Sequence, residues 1–428
     1  MGRTTRERAF RDPVHDFITL NDSLLLELID TPEFQRLRRI RQLGGSYGTY
    51  HGAEHSRFGH SMGVLWIMHR VLRRLTAIGI PIDEEEKTVA YCAALLHDIG
   101  HGPFSHALEG HLTPGKRHET WSRAVLLGDT EVHRVLAKYD PALPEKVAAV
   151  LSGAWDGPPF VQSLVSSQLD VDRMDYLLRD SLYTGVTYGV FDLDRLINTL
   201  TVVDGRVVLQ TKGIVAAEEY ILARYYMYWQ VYLHKTTRGQ EHVLRRIWWR
   251  ARDLAAEGRL ELQDAPASLR PFLRQSGDLA DYLEVDDHDV MFAIKTWRRH
   301  SDPILADLCR RFLHRDLLKP LFRVPQDKLA LERLGEAEEM LRRKGWNPDY
   351  YLVVDRTTDV AYDYYTADTD GTEHKESILA LDENGKPCEI ATLSFTIGAV
   401  ATRRKVAANI YVPGDCLAQV RELFAPGS

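Results

Sequence analysis

Cysteine is scarce: the four in 428 residues, Cys92, Cys309, Cys388 and Cys416, are too few and too scattered for a disulfide framework or a zinc knuckle. A reducing compartment is expected. Cys92, one helical turn before Leu96, reads as core. No apolar run approaches the roughly 18 to 20 residues that a bilayer-spanning helix needs. The opening Met1-Gly2-Arg3-Thr4-Thr5-Arg6 holds no signal-type apolar stretch, and Arg6 breaks the myristoylation pattern, so a cytoplasmic protein without a membrane partner is expected. A basic excess is missing as well. The 54 Lys and Arg against 61 Asp and Glu leave a net charge of -7, which argues against a nucleic-acid-binding protein as such. Internal repeats and low-complexity tracts are also absent.

With 44% hydrophobic and 27% charged residues the composition is that of a globular chain, long enough for one large core and an appended module. Its densest chemistry lies in His97-Asp98-Ile99-Gly100-His101-Gly102-Pro103-Phe104-Ser105-His106. Two leucines precede this run and Gly-x-Gly-Pro breaks it, as at the C-terminal end of a buried helix. His101 lies one turn beyond His97. Neutral imidazole and carboxylate suit zinc, iron, manganese or nickel, and such a centre draws further ligands from distant segments. Two segments qualify: Glu54-His55-Ser56-Arg57-Phe58-Gly59-His60-Ser61, and the carboxylate-dense run at 169–180. His60, His97, Asp98 and an aspartate of that run would give one ion two nitrogens and two oxygens, with positions open for water or substrate.

These segments resemble the HD-domain superfamily of metal-dependent phosphohydrolases. Asp30-Thr31-Pro32-Glu33-Phe34-Gln35-Arg36-Leu37-Arg38, Gln42-Leu43-Gly44-Gly45, Arg57-Phe58-Gly59-His60-Ser61, the His97 run and Asp170-Val171-Asp172-Arg173-Met174-Asp175-Tyr176 resemble, in order and spacing, the deoxynucleoside triphosphate (dNTP) triphosphohydrolases. The resemblance covers about residues 8–250. It implies metal ligands at His60, His97, Asp98 and Asp172, with manganese, magnesium, iron, nickel and zinc all compatible. It implies an acid–base cluster of His101, His106, Glu109 and His118, where Glu109 stands for the aspartate of the vertebrate SAM-and-HD-domain relative. Phosphate and sugar contacts are implied at Gln42, Leu43, Arg57, Arg173, Tyr176, Asp180 and His234. Arg173 replaces a lysine, which keeps the charge and changes the hydrogen-bonding geometry. Asp30, Gln35 and Arg38 match residues that read an activating guanine nucleotide in that relative. The basic run Arg36, Arg38, Arg39 and Arg41 has a simpler reading as the solvated face of a helix.

The residue types also make chemical sense by themselves. Splitting tripolyphosphate from a nucleoside needs an activated water, neutralisation of the chain's charge and a proton for the departing sugar oxygen. Metal, arginine and histidine supply these. A carboxylate partner keeps imidazole protonated near pH 7, which favours His106 with Glu109 as the general acid, and His101 is the other candidate. At 225–242 a tyrosine-rich stretch resembles the family helix that closes over sugar and base, although such a run is more often a buried helix face. Here Arg238 and Gly239 replace a tyrosine and a glutamine, and Gln230 replaces a phosphate-binding arginine, so base and sugar preference stay open. The leading expectation is a dNTP triphosphohydrolase that acts on nucleoside triphosphates, is activated by a second nucleotide and forms a homo-dimer or tetramer. Such an enzyme would serve nucleotide-pool control or defence against phage. The alternatives are another HD phosphohydrolase acting on cyclic or modified nucleotides and a catalytically silent nucleotide sensor.

The expected fold is mainly α, an HD-domain helical core at 1–325 with a C-terminal α+β module at 326–428. Helical periodicity marks 61–75, 84–98, 121–127, 132–138, 171–180 and 216–233, and Thr31 with Pro32 marks a helix start. Residues 202–209 read as a hairpin with an Asp204-Gly205 turn. Farther on, 331–344 reads as a charged helix, 351–355, 377–381, 389–396 and 406–412 as strands, 363–373 as an acidic loop and 415–423 as a closing helix.

Overall fold

The structure, a computed structural model, describes residues 7–322, 328–360, 377–401 and 404–425. The expected acidic loop at 363–373 lies outside these residues. The fold is mainly helical, with three small sheets among the described residues. Its axis is the 21-residue helix Arg57–Ala77, whose apolar positions Val64, Leu65, Met68, Val71, Leu72 and Leu75 are buried. It packs against helices Glu84–Leu96 and Val171–Thr184. Helix Glu84–Leu96 begins with a reciprocal cap. Asp83 Oδ1 accepts from Glu86 N at 2.8 Å and Glu86 Oε2 accepts from Asp83 N at 3.0 Å. Ala90, Cys92, Ala93 and Ala94 are fully buried on this helix, as expected of Cys92.

A second apolar core gathers around helix Lys235–Ala256 and includes Ile410, Tyr411 and Val412 near the C terminus. The strands explain how that end is attached. β1 (Arg8–Asp12) and β2 (Asp16–Leu20) form an N-terminal hairpin. β3 (Leu200–Val203) and β4 (Arg206–Leu209) flank the Asp204-Gly205 turn, where both φ values are positive, at 50° and 73°, as a two-residue hairpin turn requires. The later strands are β5 (Lys319–Phe322), β6 (Val353–Val360), β7 (Leu379–Leu381), β8 (Pro387–Glu389) and β9 (Arg404–Val412). β7 joins β4 in parallel, giving the order β3-β4-β7-β8, and β9 lies between β5 and β6. Both sheets therefore cross the expected boundary near residue 325.

Three expectations are corrected. Residues 389–396 are not a strand: Ile390–Leu393 and Phe395–Ala401 are helical. Capping wins over β-branched content here, because the Glu389 carboxylate accepts from Ala391 N at 2.7 Å and Ser394 Oγ accepts from Ile397 N at 3.0 Å. The run at 216–233 is not one α-helix. Helix Ile214–Met227 passes into a π-helical turn at Tyr228–Tyr232, and His234 then caps the next helix by accepting from Thr236 N at 3.2 Å. Finally, the Arg36–Arg41 run is only partly a solvated face. Arg36 is 1% exposed and donates to the carbonyls of His101, Tyr282 and Val285 at 2.8–3.2 Å.

Arg36 thus ties the His97 run, at His101, to residues 282–285. Replacing it with Met leaves buried carbonyls unsatisfied, at a cost of about 3 kcal/mol. Chemical denaturation of Arg36→Met against the native protein should show this loss, and equal midpoints would contradict it.

Candidate metal centre and catalytic cavity

Three helix ends bring the predicted ligands together. His60 sits in the first turn of Arg57–Ala77, His97 and Asp98 follow the end of Glu84–Leu96, and Asp172 sits in the first turn of Val171–Thr184. His60 Nε2 lies 3.0 Å from Asp172 Oδ1, 3.2 Å from His97 Nε2 and 3.8 Å from Asp98 Oδ2. His97 Nε2 lies 3.5 Å from Asp98 Oδ1 and 3.7 Å from Asp172 Oδ1. Donors about 2.0–2.2 Å from one ion are separated by about 3–3.5 Å at the usual ligand angles, so the set fits a divalent cation. Both imidazoles are also oriented from behind. His97 Nδ1 is 2.8 Å from the carbonyl of Ala94 and His60 Nδ1 is 2.8 Å from Asp175 Oδ2, which leaves each Nε2 for the ion.

The electrostatics agree with a cation site. Burial opposes protonation of His60, but hydrogen bonds to Asp172 and Asp175 and the nearby Asp98 charge override it and push its pKa up to about 10. Burial would raise Asp98, yet Arg57, His101 and His97 hold it well below the carboxylate range.

Beside this centre lies a cavity of about 890 Å³, within the size range of small-molecule sites. Gln42, Leu43, Arg57, His97, Asp98, His101, His106, His118, Asp172, Arg173, Tyr176 and Asp180 all line it. His60 and Glu109 lie behind that lining and act on it through their neighbours. Glu109 accepts from both flanking histidines, at 2.9 Å from His106 Nδ1 and 2.5 Å from His118 Nδ1. His101 stacks on His118 with ring centroids 4.0 Å apart. Burial and the Arg57 charge keep His101 well below the ordinary histidine range, and so neutral at pH 7. Its Nε2 is buried with no hydrogen-bond partner in the structure. His106 and the chain before it are set by a strained turn, with Phe104 and Ser105 at φ 54° and 49°. Asp287 Oδ1 fastens this turn by accepting from Phe104 N at 2.7 Å.

Two of the arginines that line the cavity are paired close to the metal centre, Arg57 with Asp98 and Ser105 and Arg173 with Asp170. Asp180 is held between His55 Nε2 at 2.7 Å and the Tyr232 hydroxyl at 2.8 Å. His234 is not brought into the cavity lining. It caps its helix and packs edge-on against Tyr50, with ring centroids 5.9 Å apart. Asp30, Gln35 and Arg38 form a separate surface group. Arg38 Nε donates to Gln35 Oε1 at 2.8 Å, and Asp30 pairs with Arg8 at 2.7 Å.

Sequence reasoning assigned no role to Asp175, His55, Tyr232 or Asp287. Asp175 shares a helix face with Asp172 three residues earlier, so helical spacing carried that signal. The other three act across long stretches of chain and leave no local mark.

With this geometry in view, comparison places the chain. Residues 57–180 match the HD domain and residues 191–422 match the HD associated region, so the chain belongs to the HD-domain phosphohydrolases that carry this associated region. It is 40% identical over 418 residues to the uncharacterized protein YwfO of Bacillus subtilis (strain 168), covering 97% of this chain and 94% of that one. It is 26% identical over 388 residues to the deoxynucleoside triphosphate triphosphohydrolase SAMHD1 of Danio rerio, covering 81% of this chain and 61% of that one. Among solved structures, a phosphohydrolase from Bacteroides thetaiotaomicron VPI-5482 superposes with a TM-score of 0.83 at 32% identity, over 95% of this chain and 100% of that one. No helix among the described residues is long and apolar enough to cross a membrane.

The Glu109 pairings give a pH signature. Burial would raise the Glu109 carboxyl, but hydrogen bonds from His106 and His118 hold it well below its ordinary 4.5. Burial would lower His118, but Glu109 raises it above its ordinary 6.5. The depressed carboxyl contributes stability above pH 4.5 that is lost as pH falls, and the raised imidazole contributes stability below pH 6.5 that is lost as pH rises. Urea titrations should therefore show the stability gap between native protein and Glu109→Gln widest between pH 4.5 and 6.5, closing on both sides. A gap independent of pH would contradict the pairing.

Proposed function

We propose that this HD-domain phosphohydrolase is a metal-dependent dNTP triphosphohydrolase that releases a deoxynucleoside and intact tripolyphosphate. One observation carries the reading: His97, Asp98 and Asp172, backed by His60, and the histidines His101, His106 and His118, backed by Glu109, line one cavity of nucleotide size. His60, His97, Asp98 and Asp172 would hold a divalent ion, which would supply Lewis acidity toward the phosphoryl oxygens and acidify water. Arg57 and Arg173 hold the anionic chain by charge-assisted hydrogen bonds. His106, its Nδ1 engaged by Glu109, presents Nε2 as the proton donor to the departing sugar oxygen. His118 shares the Glu109 carboxylate, which raises the pKa of its imidazole. His101, neutral and with a free Nε2, accepts a hydrogen bond from substrate or water.

The sugar end is defined by Tyr176 and by Asp180, the latter fixed by His55 and Tyr232. Gln42 and Leu43 line the same cavity as phosphate and sugar contacts, and Gln42 Oε1 is buried without a partner in the structure, ready for a donor such as a sugar hydroxyl. His234 would enter only through movement of the π-helical turn before it. The surface group of Asp30, Gln35 and Arg38 suits a second, activating nucleotide bound between copies of a homo-oligomer.

A second reading has its own support. Of the four arginines that line the cavity, Arg57, Arg173 and Arg238 are already paired, with Asp98, Asp170 and Asp355, so less free positive charge remains than a triphosphate calls for. That balance favours a less charged phosphate ester, such as a cyclic or modified nucleotide.

Incubation of the protein and a divalent metal with each dNTP and NTP, singly and in pairs, with products identified by mass, separates the two. Deoxynucleoside with intact tripolyphosphate is expected, and pyrophosphate or monophosphate would support the second reading. His106→Ala is expected to slow turnover by roughly 10²-fold or more while the metal is retained, the usual scale of general acid catalysis.

A further inference from the structure

His15 lies in the loop of the N-terminal hairpin, far in sequence from every residue of the metal centre, yet its side chain is 3% exposed. Its Nε2 is 2.7 Å from Asp175 Oδ1, a contact spanning 160 residues of chain. The opposite oxygen of the same carboxylate, Asp175 Oδ2, is 2.8 Å from Nδ1 of His60. Asp175 is fully buried. Its remaining contacts come from Arg179, with Nη2 to Oδ1 at 3.0 Å and Nε to Oδ2 at 2.7 Å. The carboxylate is thereby clamped by His15 and Arg179 on one oxygen and by Arg179 and His60 on the other.

The hairpin is built to hold that clamp. Asp12 Oδ1 accepts from the backbone amides of Val14 and His15 at 2.9 and 3.0 Å, which fixes the loop that presents His15. The same Asp12 carboxylate receives Arg179 at 3.0 and 3.2 Å, so loop and clamp share one ion pair. On the far side, Gly63 leaves room for the carboxylate. A Cβ at that position would lie 1.9 Å from Asp175 Oδ1.

We propose that His15 is a positioning residue for the metal centre: through Asp175 it fixes the plane and tautomer of His60, so that the N-terminal hairpin sets how tightly the metal is held. The inference rests on the reading of His60 as a ligand. The chemistry is that of an outer hydrogen-bond partner, whose loss costs about 10- to 100-fold in metal affinity. Without His15, Asp175 Oδ1 loses a donor, the carboxylate can pivot about its Arg179 contacts, and the His60 ring follows it.

The test uses the full-length protein stripped of metal and titrated with manganese(II) and cobalt(II) in competition with a chelator. His15→Ala is expected to raise both dissociation constants by about 10- to 100-fold and to alter the visible absorption of bound cobalt. His15→Gln, whose side-chain NH₂ can donate over a similar reach, is expected to recover most of the affinity. Phe10→Ala, which loosens the packing of the same hairpin without touching Asp175, is expected to lower the melting temperature and leave affinity and cobalt spectrum unchanged. Native affinity in His15→Ala, or an equal loss in Phe10→Ala, would overturn the inference while leaving the metal centre intact. Native protein that binds neither ion would overturn the ligand reading, and this inference with it.

Discussion

Buried negative charge at the meeting point of three helix ends is the constraint on which the rest of this structure depends. Asp98, Asp172 and Asp175 converge on His60, and carboxylates so close together in a desolvated site are unstable unless cations or donors answer them. The surroundings supply those answers in layers. Arg57 meets Asp98 and Arg179 meets Asp175, both buried, and the Nε2 atoms of His60 and His97 remain directed at one point. What is left over at that point is the place for a divalent ion. Arg57, which answers Asp98, also lines the cavity, so metal binding and substrate binding would draw on one charge balance.

This dependence also explains the layout of the cavity. Its two chemical roles sit on different supports. The ligands ride on long, well-packed helices, whereas the acid–base cluster sits on an irregular stretch after His101, held by Asp287, Arg36 and the strained turn at Phe104 and Ser105. Under the proposed function, the ligand set would hold the phosphoryl group and the less regular segment would bring imidazoles to the leaving group. Glu109 joins two of them, His106 and His118, through one carboxylate.

Much of this was legible in the chain. His97-Asp98 at a glycine-broken helix end, His60 at a helix start and Asp172 in a carboxylate run are local patterns, and local patterns survive in sequence. The helices around them were legible for the same reason, since their apolar periodicity records burial directly. Contacts made across the fold left no such trace. His15 on Asp175 spans 160 residues, and β7 finds β4 by parallel pairing that no turn signal announces. Residues 389–396 were misread because β-branched composition outweighed the Glu389 and Ser394 caps. The break near His234 was hidden because apolar and aromatic residues continue through the π-helical turn. Arg36 looked solvated because a sequence shows its charge and not the three carbonyls that bury it.

The central claim is that His60, His97, Asp98 and Asp172 hold one divalent ion. Anomalous diffraction from crystals grown with manganese, recorded on either side of the metal's absorption edge, tests it most directly. The account predicts a single peak beside that cavity, about 2.0–2.3 Å from His60 Nε2, His97 Nε2 and one oxygen of each aspartate. A peak elsewhere, or none in crystals saturated with the ion, would contradict it.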